Sequence, residues 1–249
     1  MIDASVIDWG RVRALAAWSQ RAYDSPNVED ESTRAAALVG MDGDRIVVAF
    51  RGSKAPRDFE QDAKFALKRF TAGAWVHEGF LENFGAIDAR VSKEVGDLLA
   101  AHPGAKVEVT GHSLGGALAV LCGLEFAWEG FPLSTVCTFG QPRVGNAMFA
   151  RLCDVTKVGD RRLGDLHLRF VNAEDIVPRS PSALMWYRHS GNEVWFPPDG
   201  SPAIDPSIWS LVKGDACGLY AAARKMKVAL LDDHYLEAYI ERLKDAPRG

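Results

Sequence analysis

The chain has 249 residues, of which 47% are hydrophobic and 25% charged, with a formal net charge of −4 and an isoelectric point near 5.9. That balance suits a soluble globular protein able to build its core without a disulfide or metal staple. The acidic excess argues against a nucleic-acid partner, which needs a basic face, and no apolar run is long enough to span a bilayer.

In chain order, the first clear elements are two strand-like runs at residues 34–39 and 45–50, joined by the turn Met41-Asp42-Gly43-Asp44. Phe80, Phe84, Ile87, Val91, Val95 and Leu98 then recur at intervals of three and four. This spacing predicts one long amphipathic helix, stopped at His102-Pro103-Gly104. Residues 106–110 read as a strand, 115–128 as a helix, 135–139 as a strand, 146–152 as a short helix and 166–171 as a strand. Residues 196–206 carry Pro197, Pro198, Pro202 and Pro206 and read as loop, with helices expected at 208–211 and 235–243. Strands alternating with helices imply an α/β fold in one domain over residues 1–249: a central, mostly parallel sheet with helices on both faces. In such sheets the reacting groups gather at the carboxyl ends of the strands.

Cys122, Cys137, Cys153 and Cys217 form no C-x-x-C pair, and no Cys/His cluster has zinc-ligand spacing, so neither metal nor cofactor is expected. Asp3 and Asp8 interrupt any basic-then-apolar leader. A reducing, cytoplasmic location is the resulting expectation.

The chemistry starts just past the strand at residues 106–110. There Gly111-His112-Ser113-Leu114-Gly115 forms G-x-S-x-G between a strand and a helix. At such a turn the serine takes a strained backbone, its hydroxyl stands above the sheet, and the flanking glycines let strand and helix approach. The competing reading is a serine capping a tightly packed helix. A serine hydroxyl needs a base, and the base needs an orienting acid; in this fold they follow in the order Ser, Asp or Glu, His. His167 lies inside a strand and His189 in a loop, whereas His234 stands at a late loop-to-helix junction, where the base belongs. The strand at 166–171 runs into Asn172-Ala173-Glu174-Asp175, and position alone leaves Glu174 and Asp175 equal as the acid.

Five blocks together resemble the class 3 lipases, the family typified by filamentous fungal triacylglycerol lipases. They are Phe50-Arg51-Gly52-Ser53, Val76-His77-Glu78-Gly79-Phe80, residues 111–116, Gly140-Gln141-Pro142-Arg143-Val144-Gly145-Asn146, and Asp175-Ile176-Val177-Pro178. The resemblance spans residues 47–178, with a looser match through His234-Tyr235. It implies an α/β-hydrolase with Ser113, Asp175 and His234 as triad, and it gives Ser53 a part in the oxyanion hole. Leu114, the residue after the nucleophile, supplies the other backbone N–H such a hole requires. It further implies a helical lid at about residues 54–70, with Phe59, Ala63, Ala66 and Phe70 on one face. The expected substrate is a carboxylic ester, foremost a triacylglycerol or other acyl ester, met as a lipid at a lipid–water interface. The alternatives are a phospholipase A1, a short-chain esterase or acyltransferase, and a non-catalytic binding or signalling protein on the same fold. The intact Ser113, Asp175 and His234 set argues against the last.

Overall fold

In the computed structural model, residues 7–53, 66–172, 175–198, 201–204 and 233–247 are described. Their centre is an eight-stranded sheet whose spatial order follows the chain: β1 Val28–Glu29, β2 Ala36–Asp42, β3 Arg45–Phe50, β4 Lys106–His112, β5 Leu133–Phe139, β6 His167–Asn172, β7 Asn192–Phe196 and β8 Ala203–Ile204. Strands β3 to β7 are mutually parallel, and β1, β2 and β8 add antiparallel edges. All five parallel strands therefore present their carboxyl ends along one edge.

Seven helices cover the two faces among the described residues: α1 Trp9–Asp24, α2 Glu78–Gly85, α3 Asp88–Ala101, α4 Leu114–Glu129, α5 Ala147–Val155, α6 Leu163–Leu166 and α7 Leu236–Asp245. Alternation along the strands sorts the core. Ile46, Val48, Phe50, Val107, Val109 and Val136 point toward α2 to α6. Val47, Ala49, Cys137, Phe139, Phe170 and Phe196 point toward α1 and α7. Central strands buried on both faces read as near-continuous apolar runs, which is why residues 45–50 lack a polar side. On the α1/α7 face, Phe139, Phe170 and Phe196 stack in sequence with centroids 5.4 and 5.8 Å apart. Truncating such a ring typically costs about 3–5 kcal/mol.

The fold departs from the expected elements in four places. The long helix is two, α2 and α3, parted at Ala86-Ile87, where Gly85 weakens the first and Asp88 opens the second with its carboxylate accepting the Ala89 N–H. Phe84, Ile87 and Val91 still share one buried face, so the periodicity was right and the continuity wrong. Helix α1 was not foreseen, although Asp8 caps it through the Arg11 N–H at 2.8 Å and Trp9, Val12, Leu15, Ala16 and Ala22 are buried at helical spacing. A strand, Asn192–Phe196, precedes the proline-rich stretch and pairs in parallel with β6.

The last departure concerns the expected lid. Residues 54–65, with Phe59 and Ala63, lie outside the described residues, but Phe70 belongs to a strand, Leu67–Thr71, paired with Ala74–His77. Its ring stacks on Trp128 at 5.7 Å and meets Phe149 edge-on, so it faces the protein body as part of a small four-stranded antiparallel sheet completed by Gly145–Asn146 and Tyr187–Arg188. The helix expected at 208–211 and Cys217 also lie outside the described residues, while Cys122, Cys137 and Cys153 are buried thiols.

Candidate active site

Strand β4 delivers Ser113 at its carboxyl end, and α4 begins at the next residue. The turn holds Ser113 at φ 58°, ψ −127°, a left-handed conformation that ordinary residues avoid at a cost of about 1–3 kcal/mol. Close packing enforces it: a Cβ built on Gly115 would lie 2.2 Å from the Phe50 carbonyl oxygen, so only glycine lets α4 start against β3. Ser113 is nonetheless only 2% exposed.

Its hydroxyl lies 2.8 Å from His234 Nε2. The other ring nitrogen, Nδ1, lies 3.0 and 2.9 Å from the two carboxylate oxygens of Asp175. Asp175 follows the end of β6, and His234 precedes α7, so three separate stretches of chain meet here. Both side chains are fully buried. The carboxylate also accepts the Val177 N–H at 2.9 Å and the Tyr239 hydroxyl at 2.5 Å. Burial and the adjacent carboxylate push the Tyr239 phenol well above its usual range, so it remains a donor. Fixed donors of this kind hold the carboxylate in one orientation.

The competing histidines go elsewhere. His167 is buried and directs Nε2 toward the Gln141 side-chain oxygen at 3.1 Å; burial lowers its pKa to about 3. His189 donates from Nε2 to the Pro178 carbonyl at 2.7 Å, and burial keeps it neutral. Glu174 lies outside the described residues.

Around the expected oxyanion position, Leu114 is the first residue of a 16-residue helix, so its N–H is among those without an intrahelical acceptor, at the positive end of the helix dipole. Ser53 follows β3 and lines a cavity of about 240 Å³ together with Tyr23, His112, Tyr235 and Leu236.

Four residues beyond the sequence reading join this arrangement. The Gly52 backbone N–H donates to the Tyr23 hydroxyl, which lies 2.8 Å from His112 Nδ1. His112 Nε2 lies 2.6 Å from the backbone oxygen of His234. Burial, then the neighbouring His234, pushes His112 well below the usual histidine range. A neutral ring has one donor and one acceptor, so Nε2–H donates to the carbonyl and Nδ1 accepts from Tyr23. A hydrogen-bonded chain thus joins the loop bearing Ser53 to the backbone of His234. Tyr239 is the third such residue and Gly140 the fourth: at φ 59°, a Cβ on Gly140 would lie 2.9 Å from Asp175 Oδ2 and 3.1 Å from the His234 ring. Gly140 stood within one of the sequence blocks, but Tyr23 and Tyr239 are lone aromatics with no local pattern to mark them.

The fold is that of an α/β-hydrolase, and comparison with known proteins narrows it. The class 3 lipase profile matches residues 47–185, more than half of the 249, and the chain belongs to that family. A lipase of Rhizomucor miehei is 35% identical over 77% of this chain and 50% of its own length. The secreted mono- and diacylglycerol lipase 1 of Fusarium solani is 35% identical over 73% of this chain and 56% of its own. A solved triacylglycerol lipase, described as having a serine protease triad for its catalytic centre, shares 29% identity at a TM-score of 0.67, over 80% of this chain and 84% of that one. The chain spans about half the length of the two sequence relatives. The expected cytoplasmic location is corrected by these findings, because the Fusarium relative is named as secreted.

Proposed function

We propose that the protein is an exported carboxylic ester hydrolase acting on acylglycerols, with Ser113 as nucleophile, His234 as base and Asp175 as orienting acid. The observation that carries this reading is the continuous contact from Ser113 Oγ through the His234 ring to Asp175, at 2.8 and 2.9 Å. His234 Nε2 takes the hydroxyl proton as Oγ attacks the ester carbonyl carbon, while Asp175 stabilises the imidazolium that forms. The tetrahedral oxyanion is held by the backbone N–H groups of Ser53 and Leu114, and each such donor contributes about 100- to 1,000-fold in rate. The imidazolium returns its proton to the departing alkoxide, leaving acyl-Ser113. Water deprotonated by His234 then attacks the acyl carbon, and collapse frees the fatty acid and restores the serine.

The names of the relatives, lipases and a mono- and diacylglycerol lipase, support a glycerol ester as substrate. Such esters form a separate phase in water, so the substrate is met at a lipid–water interface. The test is hydrolysis of p-nitrophenyl esters of graded acyl length beside emulsified mono-, di- and triacylglycerol and a phospholipid. Ser113→Ala should lower kcat by about a millionfold while leaving the thermal melt unchanged. Turnover of any ester in Ser113→Ala at more than a thousandth of the parent rate would refute the nucleophile.

A further inference from the structure

The turn between Asp175 and β7 puts large apolar side chains into water. Leu184 is 93% exposed, Trp186 78% and Met185 40%. Trp186 sits at φ 71°, in the left-handed region that glycine or asparagine adopts far more readily. A bulky residue held in a disfavoured backbone, with its ring outside the protein, contributes little to this protein's own packing.

The turn is also braced. The Ser182 hydroxyl accepts the Leu184 N–H at 3.2 Å, and the Arg188 guanidinium donates to the carbonyls of Ala183 and Tyr187 at 2.8 and 2.7 Å. Tyr187, fully buried, anchors it to the small sheet. Beside it runs a groove of about 470 Å³ lined by Leu67, Trp75, Asn146, Ala147, Trp186 and Arg188, with Trp75 itself 41% exposed. The Ser180 carbonyl accepts the Arg143 N–H, which ties this region to the loop leaving the carboxyl end of β5. The apolar patch therefore borders the same edge of the sheet as the triad. Residues 179–188 hold two arginines and no carboxylate, and Arg69 is exposed on the adjoining strand.

We propose that Leu184, Trp186 and Trp75, with Arg188 and Arg69 around them, form a docking surface for an anionic lipid layer. The proposal rests on the ester-hydrolase reading above, which places the substrate in a lipid phase. Tryptophan suits the boundary between apolar and wet layers, leucine inserts beyond it, and the arginines pair with lipid phosphates at the surface. Docking there would turn the carboxyl ends of β4 to β6 toward the substrate.

The test is sedimentation of the full chain carrying Ser113→Ala with vesicles of phosphatidylglycerol or of phosphatidylcholine, so that no lipid is consumed. Leu184→Asp, and separately Trp186→Gly, which fits the left-handed backbone, should each weaken binding to phosphatidylglycerol about tenfold or more. Binding should favour phosphatidylglycerol and fall with added salt. With Ser113 intact, both variants should hydrolyse a short soluble ester within about twofold of the parent. Unchanged partitioning of both variants would overturn the proposal, and so would binding indifferent to lipid charge. Lipid-free self-association abolished by Leu184→Asp would assign the patch to a second copy of the chain instead. A parent protein that binds vesicles but hydrolyses no ester would refute the hydrolase reading and leave the docking surface standing.

Discussion

Strand β4 carries a buried polar cluster at each end, and the two are built on opposite plans. Near its start, Glu108 is fully buried and held by the guanidinium groups of Arg11 from α1 and Arg45 from β3; Arg11 also pairs with Asp42. At its far end stand His112 and Ser113, joined to Tyr23, His234, Asp175 and Tyr239. The first cluster is a carboxylate saturated by fixed cations, with nothing left to exchange. The second is a chain in which one carboxylate orders a string of donors and acceptors, ending at a hydroxyl on a strained backbone. Burial of polar groups does not distinguish structure from chemistry here. What distinguishes them is whether a proton can move along the cluster.

This contrast should show first in rate. Asp175→Asn preserves shape but presents an N–H to the His234 ring, favouring the wrong tautomer and costing about 10⁴-fold in kcat, with little change in urea midpoint. A loss under tenfold, measured by single-turnover kinetics, would remove Asp175 from the acid's role.

The mirror experiment acts on the other end of β4. Arg11→Met should cost about 3 kcal/mol of stability, because the buried Glu108 would lose a principal partner. Turnover per folded molecule should stay near the parent value. Glu108→Gln in the same chain should recover part of the loss in chemical denaturation. If Arg11→Met lowered kcat without lowering stability, the distinction between the two ends would collapse.

The contrast can also be sharpened through pH. His167, beside Gln141, has a folded pKa of about 3 against 6.5 unfolded, because burial disfavours its charge. Below pH 6.5 the unfolded chain binds a proton that the folded one refuses. Its contribution is thus complete above 6.5 and shrinks as pH falls toward 3, by up to about 1.4 kcal/mol per pH unit. His112 and His189 are depressed in the same direction, whereas no histidine takes part in the Glu108 cluster. Urea midpoints taken from pH 7 to pH 4 should decline, and His167→Gln should decline less steeply.

The sequence exposed the parts of this molecule whose chemistry is local. G-x-S-x-G needs its glycines within two residues of the serine, and the alternation of strands and helices needs only short windows. Helix α1 was hidden because its buried face includes Ser19, bonded to Thr110 at 2.9 Å, and several alanines, which dilute the apolar period. The strand at Leu67–Thr71 was hidden by coincidence: Phe59, Ala63, Ala66 and Phe70 fall at helical spacing, yet Phe70 lies within a strand, at a bulge in its pairing. Tyr23 and Tyr239 were illegible in principle, since each meets its partner across 89 and 64 residues and carries no motif of its own.

The grip of α1 on α7 has a consequence for how this protein comes into being. The Arg13 guanidinium donates to the Leu243 carbonyl at 2.8 Å and to the Ala246 carbonyl at 2.7 Å, closing a loop of 230 residues, and α7 begins two residues after His234. Closing a loop of that length costs chain entropy that no local contact bears. Placing the imidazole against its serine therefore depends on contacts between distant parts of the chain. Under the proposed function a half-folded chain would be inert toward esters, and recovery of hydrolysis after dilution from denaturant would report when His234 reaches Ser113.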